Sequence, residues 1–202
     1  MGREIEVKIP LSDEQYDAVL AFIKGGKAQP GVTGRDVSHL LKTNAYFSRY
    51  DTDEERKKNG EPKVIRIRTE QVLDVPDAPP KQAFFCLKYK KIENDVEFNS
   101  ENETAVEDEN PLLLFFSVAG YKKYFEKIKD SYSVYCTCDA DKKIEFHLEL
   151  VTVNGHKYFE VEVTQPELDA DRVQKGLEAF VSAFGLDVSK KDSRSWMQIL
   201  AG

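Results

Sequence analysis

Like charges recur two residues apart in several segments of this chain, with apolar residues between them. A period of two is that of a β-strand, whose successive side chains point to opposite faces of a sheet. Each pair therefore lies on one face of its strand, while residues such as Ile5 and Ile67 lie on the other face. The pairs are Glu4 and Glu6, Arg66 and Arg68, Lys88 and Lys90, Lys127 and Lys129, and Glu160 and Glu162.

These pairs restrict the fold because like charges at this spacing repel each other. A solvated sheet face usually mixes small polar residues with charges of both signs, and for any single pair such a face is the alternative. Taken together, the repeated pairs require a bound ion or ligand on the charged face, and the apolar face needs helices to cover it. A sheet closed into a barrel, with its charges inside and helices outside, provides both.

The remaining patterns predict about eight strands, with helices at both ends and in the middle, which is an α+β fold. A capping box at Ser12 opens the first helix, Asn110 caps a short middle helix, and Thr164 opens a long helix near the end. Asn154-Gly155 marks a hairpin turn. Predicted strands cover residues 4–9, 43–48, 63–69, 84–91, 93–98, 144–152 and 157–163, a hairpin covers 124–138, and loops cover 25–36, 51–60, 74–81 and 99–110.

Composition argues against several functional classes. A net charge of -7 disfavours a dedicated nucleic-acid binder, which usually carries a basic excess. No apolar run approaches the roughly 20 residues that span a bilayer, and the first residues show no signal segment. Cys86, Cys136 and Cys138 match no metal-binding spacing and indicate free thiols in a reducing cytosol. We therefore expect a cytoplasmic protein of one domain, residues 1–202, that is a monomer or homodimer and binds neither nucleic acid nor membrane.

Separate acidic and basic faces inside one barrel indicate that a cation and a polyphosphate bind there together. Arginine pairs with phosphate through two parallel hydrogen bonds, and lysine supplies a point charge. Carboxylates repel phosphate, so a cation has to lie between the two. Mg²⁺ and Mn²⁺ prefer oxygen ligands and commonly bridge carboxylates to phosphates. Phosphoryl transfer needs mainly positioning and charge neutralisation, which these residues supply.

Short motifs follow one another along the whole chain. They are Glu4-Ile5-Glu6-Val7-Lys8, Ala45-Tyr46-Phe47, Ile65-Arg66-Ile67-Arg68, Leu87-Lys88-Tyr89-Lys90, Lys127-Ile128-Lys129, Phe159-Glu160-Val161-Glu162 and the segment 194–200. This series resembles the CYTH family, also called triphosphate tunnel metalloenzymes, which includes inorganic triphosphatases, thiamine triphosphatases and class IV adenylate cyclases. The resemblance implies a closed, antiparallel, eight-stranded β-barrel with a charged lumen and flanking helices, and a metal-dependent reaction of a triphosphate.

The resemblance also implies a role for each motif residue. Lys88 and Tyr46 would activate the attacking water, with an electrostatic clamp and a packed aromatic ring as the alternatives. Because Lys90 and the arginines crowd Lys88, we expect it to have a lowered pKa suited to proton removal. Ligands for Mg²⁺ or Mn²⁺ would be Glu4, Glu6, Glu97, Glu149, Glu160 and Glu162, and phosphate ligands would be Lys8, Arg66, Arg68, Lys88, Lys90, Lys127 and Lys129.

The chain departs from the family pattern at four places. They are His147-Leu148-Glu149 in place of an acidic pair, Glu97 without a preceding arginine, Lys129 in place of an arginine, and Ser48-Arg49 in place of Asp-Thr. His147 is therefore a candidate ligand, with a structural role as the alternative. These changes affect the identity of the substrate more than the class of reaction.

Three functions are consistent with these features. The first is hydrolysis of inorganic triphosphate or a small organic triphosphate such as thiamine triphosphate, which releases orthophosphate. The second is an adenylate cyclase that makes cyclic AMP and pyrophosphate from ATP. The third is non-catalytic binding of polyphosphate or nucleotide. We favour hydrolysis because the charged residues grip phosphates from several sides, and we identify no segment that would recognise adenine.

Overall fold

The computed structural model describes residues 2–61, 63–93, 96–165 and 167–201, and the side chains of these residues apart from 2, 3, 92, 93, 96 and 97. Its strands are β1 Gly2–Pro10, β2 Val32–Ser48, β3 Val64–Val72, β4 Gln82–Glu93, β5 Val96–Val106, β6 Lys122–Cys138, β7 Asp141–Val153 and β8 His156–Val163. All pairs are antiparallel, and the strands close into a barrel in the order β1-β5-β4-β3-β2-β6-β7-β8. The predicted closed barrel is therefore confirmed.

Helices flank this barrel, which confirms the α+β class. They are α1 Asp13–Ile23, α2 Asp53–Lys58, α3 Asn110–Val118, α4 Ala170–Ala183 and α5 Trp196–Leu200, with a 3-10 turn at Val188–Lys190. Within the described ranges, no helix combines the length and the apolarity needed to cross a membrane.

The alternation along each strand separates the lumen from the core. On β1, Glu4 and Glu6 line the central cavity, whereas Ile5 is buried on the outer face. Helices α1 and α4 cover that outer face on neighbouring strands and form the main hydrophobic core with it. Phe180 of α4 stacks on Phe146 of β7 with ring centroids 4.4 Å apart. Burying one such side chain contributes about 1.5–3 kcal/mol, so this core fixes the strands that carry the lumen residues.

Helix α3 covers the outer face of β2, β3 and β4. Its buried ring, Phe116, packs against Phe47 of β2 with centroids 4.9 Å apart. The other side of this helix is apolar but exposed, with Leu114, Phe115 and Val118 facing outward. This cluster is smaller than the core under α1 and α4.

β2 and β5 extend furthest beyond their predicted bounds, each for a local reason. β2 begins at Val32, inside the predicted loop 25–36, and a bulge after Arg35 interrupts its period of two. β5 continues to Val106 through most of the predicted loop 99–110. Polar residues occupy both faces of this part of β5, so it lacks the apolar alternation by which a strand is recognised.

Other predicted boundaries are also wrong. β6 is one strand of 17 residues rather than a hairpin, and α2 replaces the predicted turn in 51–60. Helix α4 begins at Ala170 rather than after Thr164, because the side chain of Asp169 accepts the first free backbone N–H groups. Asn110 begins α3 but does not cap it, and the residue before it makes no side-chain cap bond.

The close approach of α4 to β7 generates a stability prediction. A Cβ added at Gly176 would lie 2.5 Å from Cδ1 of Ile144 and 3.5 Å from Cζ of Phe146. We expect Gly176→Leu to lower the free energy of unfolding by about 1–2 kcal/mol, since overpacking outweighs the gain in helix propensity. Thermal denaturation measures the change, with Ser182→Leu on the exposed face of α4 as the control. Equal melting temperatures for the two variants would contradict this packing.

Candidate active site

The lumen of the barrel is a charged cavity of about 810 Å³. Every residue predicted to bind metal, bind phosphate or activate water lines it, apart from Glu97, whose side chain lies outside the described part of the chain. Other residues that line the cavity add charges that the motifs did not predict. These additional lining residues are Lys42, Asp53, Arg56, Lys57, Glu70, Glu101 and Glu103.

Three carboxylates converge on the ammonium group of Lys88. Its Nζ lies 3.5, 3.9 and 3.7 Å from carboxylate oxygens of Glu4, Glu6 and Glu101, respectively. Burial raises the pKa of Glu4, and the charges of Glu162 and Glu101 add to the shift although Lys88 opposes it. Converging carboxylate oxygens that share one positive charge fit a hard cation such as Mg²⁺ or Mn²⁺.

Strand register adds another like-charge pair beside this group. Glu6 of β1 lies directly opposite Glu162 of β8, and both side chains line the cavity. Like charges in this position destabilise a ladder, and a bound cation would relieve the repulsion. The next pair along the same strands, Lys8 opposite Glu160, is complementary.

The surroundings of Lys88 differ from those expected. The expectation of a lowered pKa rests on positive charges from Lys90 and the arginines, whereas the contacts of Lys88 in the lumen include three carboxylates. Activation of water and an electrostatic clamp therefore both remain predictions for Lys88. A lowered pKa is found instead at Lys127, where burial and the neighbouring Lys129 ammonium disfavour a second charge.

Lys129 joins two buried carboxylates on neighbouring strands. Its Nζ lies 2.6 Å from both Glu149 and Glu160. Lys42 of β2 forms a second ion pair with Glu149, and Nε1 of Trp196 donates to Glu160 at 2.9 Å. Although burial opposes both shifts, the lysines hold the pKa of Glu149 well below its usual range and the carboxylates raise the pKa of Lys129. These two carboxylates are therefore already neutralised by lysines.

Acidic residues of β5 position the two arginines of β3. Nη2 of Arg66 lies 2.6 Å from Glu101, and Nη2 of Arg68 lies 2.6 Å from Glu103. Among the described residues, Nε of Arg66 is a buried donor without a hydrogen-bond partner. Such a donor costs about 1–3 kcal/mol, and an anion in the lumen would satisfy it. Glu101 and Glu103 repeat the like-charge spacing of the predicted pairs, which is the signal by which sequence reading could have found them.

Cys86 lies beside Glu101 and Glu103 and is fully buried. One ligand atom from each of Cys86, Glu101 and Glu103 lies within 4.8 Å of the other two. The thiol donates to Glu103 at 2.8 Å, and burial raises its pKa to about 12. A protonated thiol is a poor metal ligand, so this group does not fit a metal ion as well as the carboxylates around Lys88 do. Like Cys136 and Cys138, Cys86 is a free, buried cysteine.

The C-terminal segment packs against one end of the barrel through Lys8. Nζ of Lys8 donates to the carbonyl of Arg194, and the N–H of Asp192 donates to the carbonyl of Lys8 at 2.8 Å. The Trp196 ring lies 5.6 Å from Nζ of Lys8 and 5.1 Å from Nζ of Lys127. These cation–π distances are favourable, so Lys8 anchors α5 as well as lining the cavity.

Tyr46 lines the cavity and also packs on another ring. Its centroid lies 5.3 Å from that of Phe125 on β6, and it lies opposite Arg66 in the ladder between β2 and β3. Both interpretations of Tyr46, activation of water and aromatic packing, are compatible with this position.

His147 makes a hydrogen bond through each ring nitrogen. Its Nδ1 lies 2.9 Å from Oε1 of Glu162, and its Nε2 lies 2.5 Å from Oγ of Ser133. The ring also stacks on Tyr135, with centroids 4.8 Å apart. A metal ion would have to displace one of these partners, so the geometry favours a hydrogen-bonding role for His147 over a ligand role.

No protein-family model and no curated protein matches this sequence. Solved structures do match along nearly its whole length. The PH1819 protein of Pyrococcus horikoshii OT3 is 18% identical, with a TM-score of 0.69 and 98% of each chain covered. A candidate adenylate cyclase from Vibrio parahaemolyticus is 16% identical, with a TM-score of 0.64 and 98% of each chain covered.

A plant protein shows the same likeness. HpAC1 from Hippeastrum, a candidate adenylyl cyclase described as having a dominant triphosphatase activity, is 14% identical with a TM-score of 0.55. The match covers 100% of this chain and 95% of that chain. At these identities the likeness shows a shared fold, which is the tunnel fold expected from the motifs.

The contacts of Lys129 generate a second stability prediction. We expect Lys129→Met to lower the free energy of unfolding by about 3 kcal/mol, because Glu149 and Glu160 would lose a shared partner in a buried site. Urea denaturation measures the change. Lys123→Met is the matched control, since Lys123 pairs with Glu126 on the exposed surface, where an ion pair contributes at most about 1 kcal/mol. The prediction fails if both variants are destabilised equally.

Proposed function

We propose that this protein hydrolyses inorganic triphosphate or a small organic triphosphate such as thiamine triphosphate, releasing orthophosphate, with Mg²⁺ or Mn²⁺ as cofactor. The observation that carries the proposal is the convergence of carboxylates and of arginine and lysine side chains in one cavity of about 810 Å³. The fold shared with HpAC1, for which a dominant triphosphatase activity is described, supports it.

Glu4 and Glu6 are the residues that would hold the cation. Their oxygens converge on the Lys88 ammonium, and their repulsion is the kind that a divalent ion relieves. When bound there, the ion would neutralise charge on the phosphate oxygens. Lys88 would then be released to contact the substrate as an electrostatic clamp, and Tyr46 keeps its predicted role near the attacking water.

The other predicted metal ligands contribute differently in this proposal. Glu149 and Glu160 are held by lysines, and Glu162 is held by His147. These contacts would have to open before the carboxylates could bind an ion directly. We keep Glu149, Glu160, Glu162 and Glu97 as predicted ligands. In this proposal they would join Glu4 and Glu6 around the ion once their present contacts open.

The basic residues would bind the phosphates. Arg66 and Arg68 carry planar guanidinium groups that suit bidentate contact, and the unpartnered Nε of Arg66 is ready to donate. The lysines of the lumen supply point charges from other strands. They are Lys8, Lys88, Lys90, Lys127 and Lys129. Because they come from several sides of the barrel, they fit a substrate enclosed by the tunnel.

Cyclisation of ATP is the competing reaction in the same lumen. It would use a ribose hydroxyl in place of water and release pyrophosphate. We favour hydrolysis because the lining residues described above match phosphate oxygens throughout the cavity. Incubation with Mg²⁺ or Mn²⁺ and inorganic triphosphate, thiamine triphosphate or ATP, followed by identification of every product, separates the two reactions. Cyclic AMP and pyrophosphate from ATP, with inorganic triphosphate untouched, would overturn the proposal.

The proposed metal site generates a prediction. We expect the double substitution Glu4→Gln and Glu6→Gln to lower turnover by about 10²-fold or more, because the amides cannot replace the charge that holds the ion. The protein should stay folded, since the change removes like-charge repulsion. Phosphate release at ordinary Mg²⁺ concentration measures the effect, and circular dichroism checks the fold. Glu126→Gln is the control, because Glu126 lies on the exposed outer face of β6. Near-normal turnover of the double variant would show that these carboxylates are not the metal site.

A further inference from the structure

Helix α3 carries apolar side chains on two opposite sides. Phe116 packs inward on the barrel. The outward side is exposed, by 66% at Leu114, 61% at Phe115 and 81% at Val118. Together with the exposed Pro111, these residues have the spacing i, i+3, i+4 and i+7, which is that of one face of a helix. A helix that is apolar all round is one that is buried on all sides, so the outward face indicates a partner.

The two ends of α3 carry charges of opposite sign. Three acidic residues, 107–109, precede the helix, and Lys122 and Lys123 follow it. Arg49 lies at the basic end, with its guanidinium carbon 4.8 Å from the centroid of the Tyr121 ring. The carboxylates that pair with the two lysines within the chain are themselves exposed, so these ion pairs are weak and the lysines can pair elsewhere. The outward surface therefore has an acidic start, an apolar middle and a basic end.

Such a surface is complementary to itself when two copies of the helix run antiparallel. If a two-fold axis passes between Leu114 and Phe115, Pro111 of each copy faces Val118 of the other, because the two positions are equally far from the axis. The same axis places the acidic start of each helix beside the basic end of the other copy. A contact of this kind, in which both copies use the same patch, is the commonest in soluble oligomers.

The size of the face limits the strength of the contact. Nine residues of helix are about 14 Å long and about 10 Å wide with their side chains. This face is smaller than the roughly 800 Å² per partner of a standard stable complex. We therefore expect a dimer that dissociates on dilution.

A membrane surface is the other partner that would cover an apolar helix face. Helices that lie in a membrane surface carry lysine and arginine along their polar side, which anionic lipids attract. The acidic residues 107–109 at the start of α3 and the net charge of -7 disfavour that partner. Opposite charges at the two ends instead favour a second copy of the same helix.

We propose that the outward face of α3 is the contact surface of a reversible homodimer, in which two copies of the helix pack antiparallel about a two-fold axis. Leu114, Phe115 and Val118 form its apolar centre, and Glu107 of each copy lies near Lys122 of the other. The face lies outside the barrel, so this inference does not depend on the proposed hydrolysis.

Sedimentation velocity over a concentration series of the full-length protein tests the surface, at about 0.15 M salt to screen the net charge of each chain. We expect Leu114→Glu to weaken dimerisation by about 100-fold or more, because each dimer would bury two carboxylates in an apolar contact. Val75→Glu is the matched control, since Val75 is 54% exposed in the loop between β3 and β4, and should dimerise like the unsubstituted protein. A protein that stays monomeric at every concentration, or an equal effect of the two substitutions, would overturn the proposal.

Glu107→Lys and Lys122→Glu test the antiparallel orientation. Each variant alone would place like charges at both ends of its own dimer, so each should dimerise about tenfold more weakly. Mixed in equal amounts, the two variants should dimerise with the unsubstituted affinity, because every acidic side chain at the ends again faces a basic one. No recovery on mixing would overturn the orientation. Binding of a monomer to phosphatidylcholine vesicles that Leu114→Glu abolishes would assign the face to a membrane and overturn the dimer.

Discussion

Repulsion between like charges inside the closed barrel is the interaction that the rest of this structure has to offset. In bulk water the repulsion between these charges would be weak. Closure of the barrel removes them from bulk water, so opposite charges or a bound ion must offset the repulsion. Around Lys129 the compensation is internal, because the lysine bridges Glu149 and Glu160. On β1 it is weaker, because Glu6 faces Glu162 directly. This uneven compensation, rather than the number of charges, is the basis on which we propose the cation at β1 and the phosphates at the other walls.

The architecture could be predicted from the sequence because its main signal is local. A period of two places Glu4 and Glu6 on one face of a strand whatever the strand pairs with, and helices were expected on the other face. The same rule missed Glu101 and Glu103, because β5 alternates between polar and charged residues and offers no apolar face to recognise. It also missed Lys42, which has no like-charged neighbour two residues away.

The partners of each charge could not be predicted, because they depend on which strands are neighbours around the barrel. Lys88 was expected beside Lys90 and near the arginines. In the closed barrel β5 lies on the other side of β4 and β1 lies beyond it, so carboxylates from both reach Lys88. The carboxylate partners of Lys88 therefore follow from the closure of the barrel, and a motif that names the residue does not carry that information.

The turn between β7 and β8 determines which residues of these two strands face each other in the lumen. Asn154 and Gly155 have φ values of 48° and 82°, which fit the two-residue type I′ turn that their sequence predicts. That turn sets the pairing of β7 with β8, and through it places His147 opposite Glu162. A slip of one residue would turn both side chains away from the lumen. The hydrogen bond between His147 and Glu162 therefore depends on a turn that lies at the far end of the hairpin, outside the cavity.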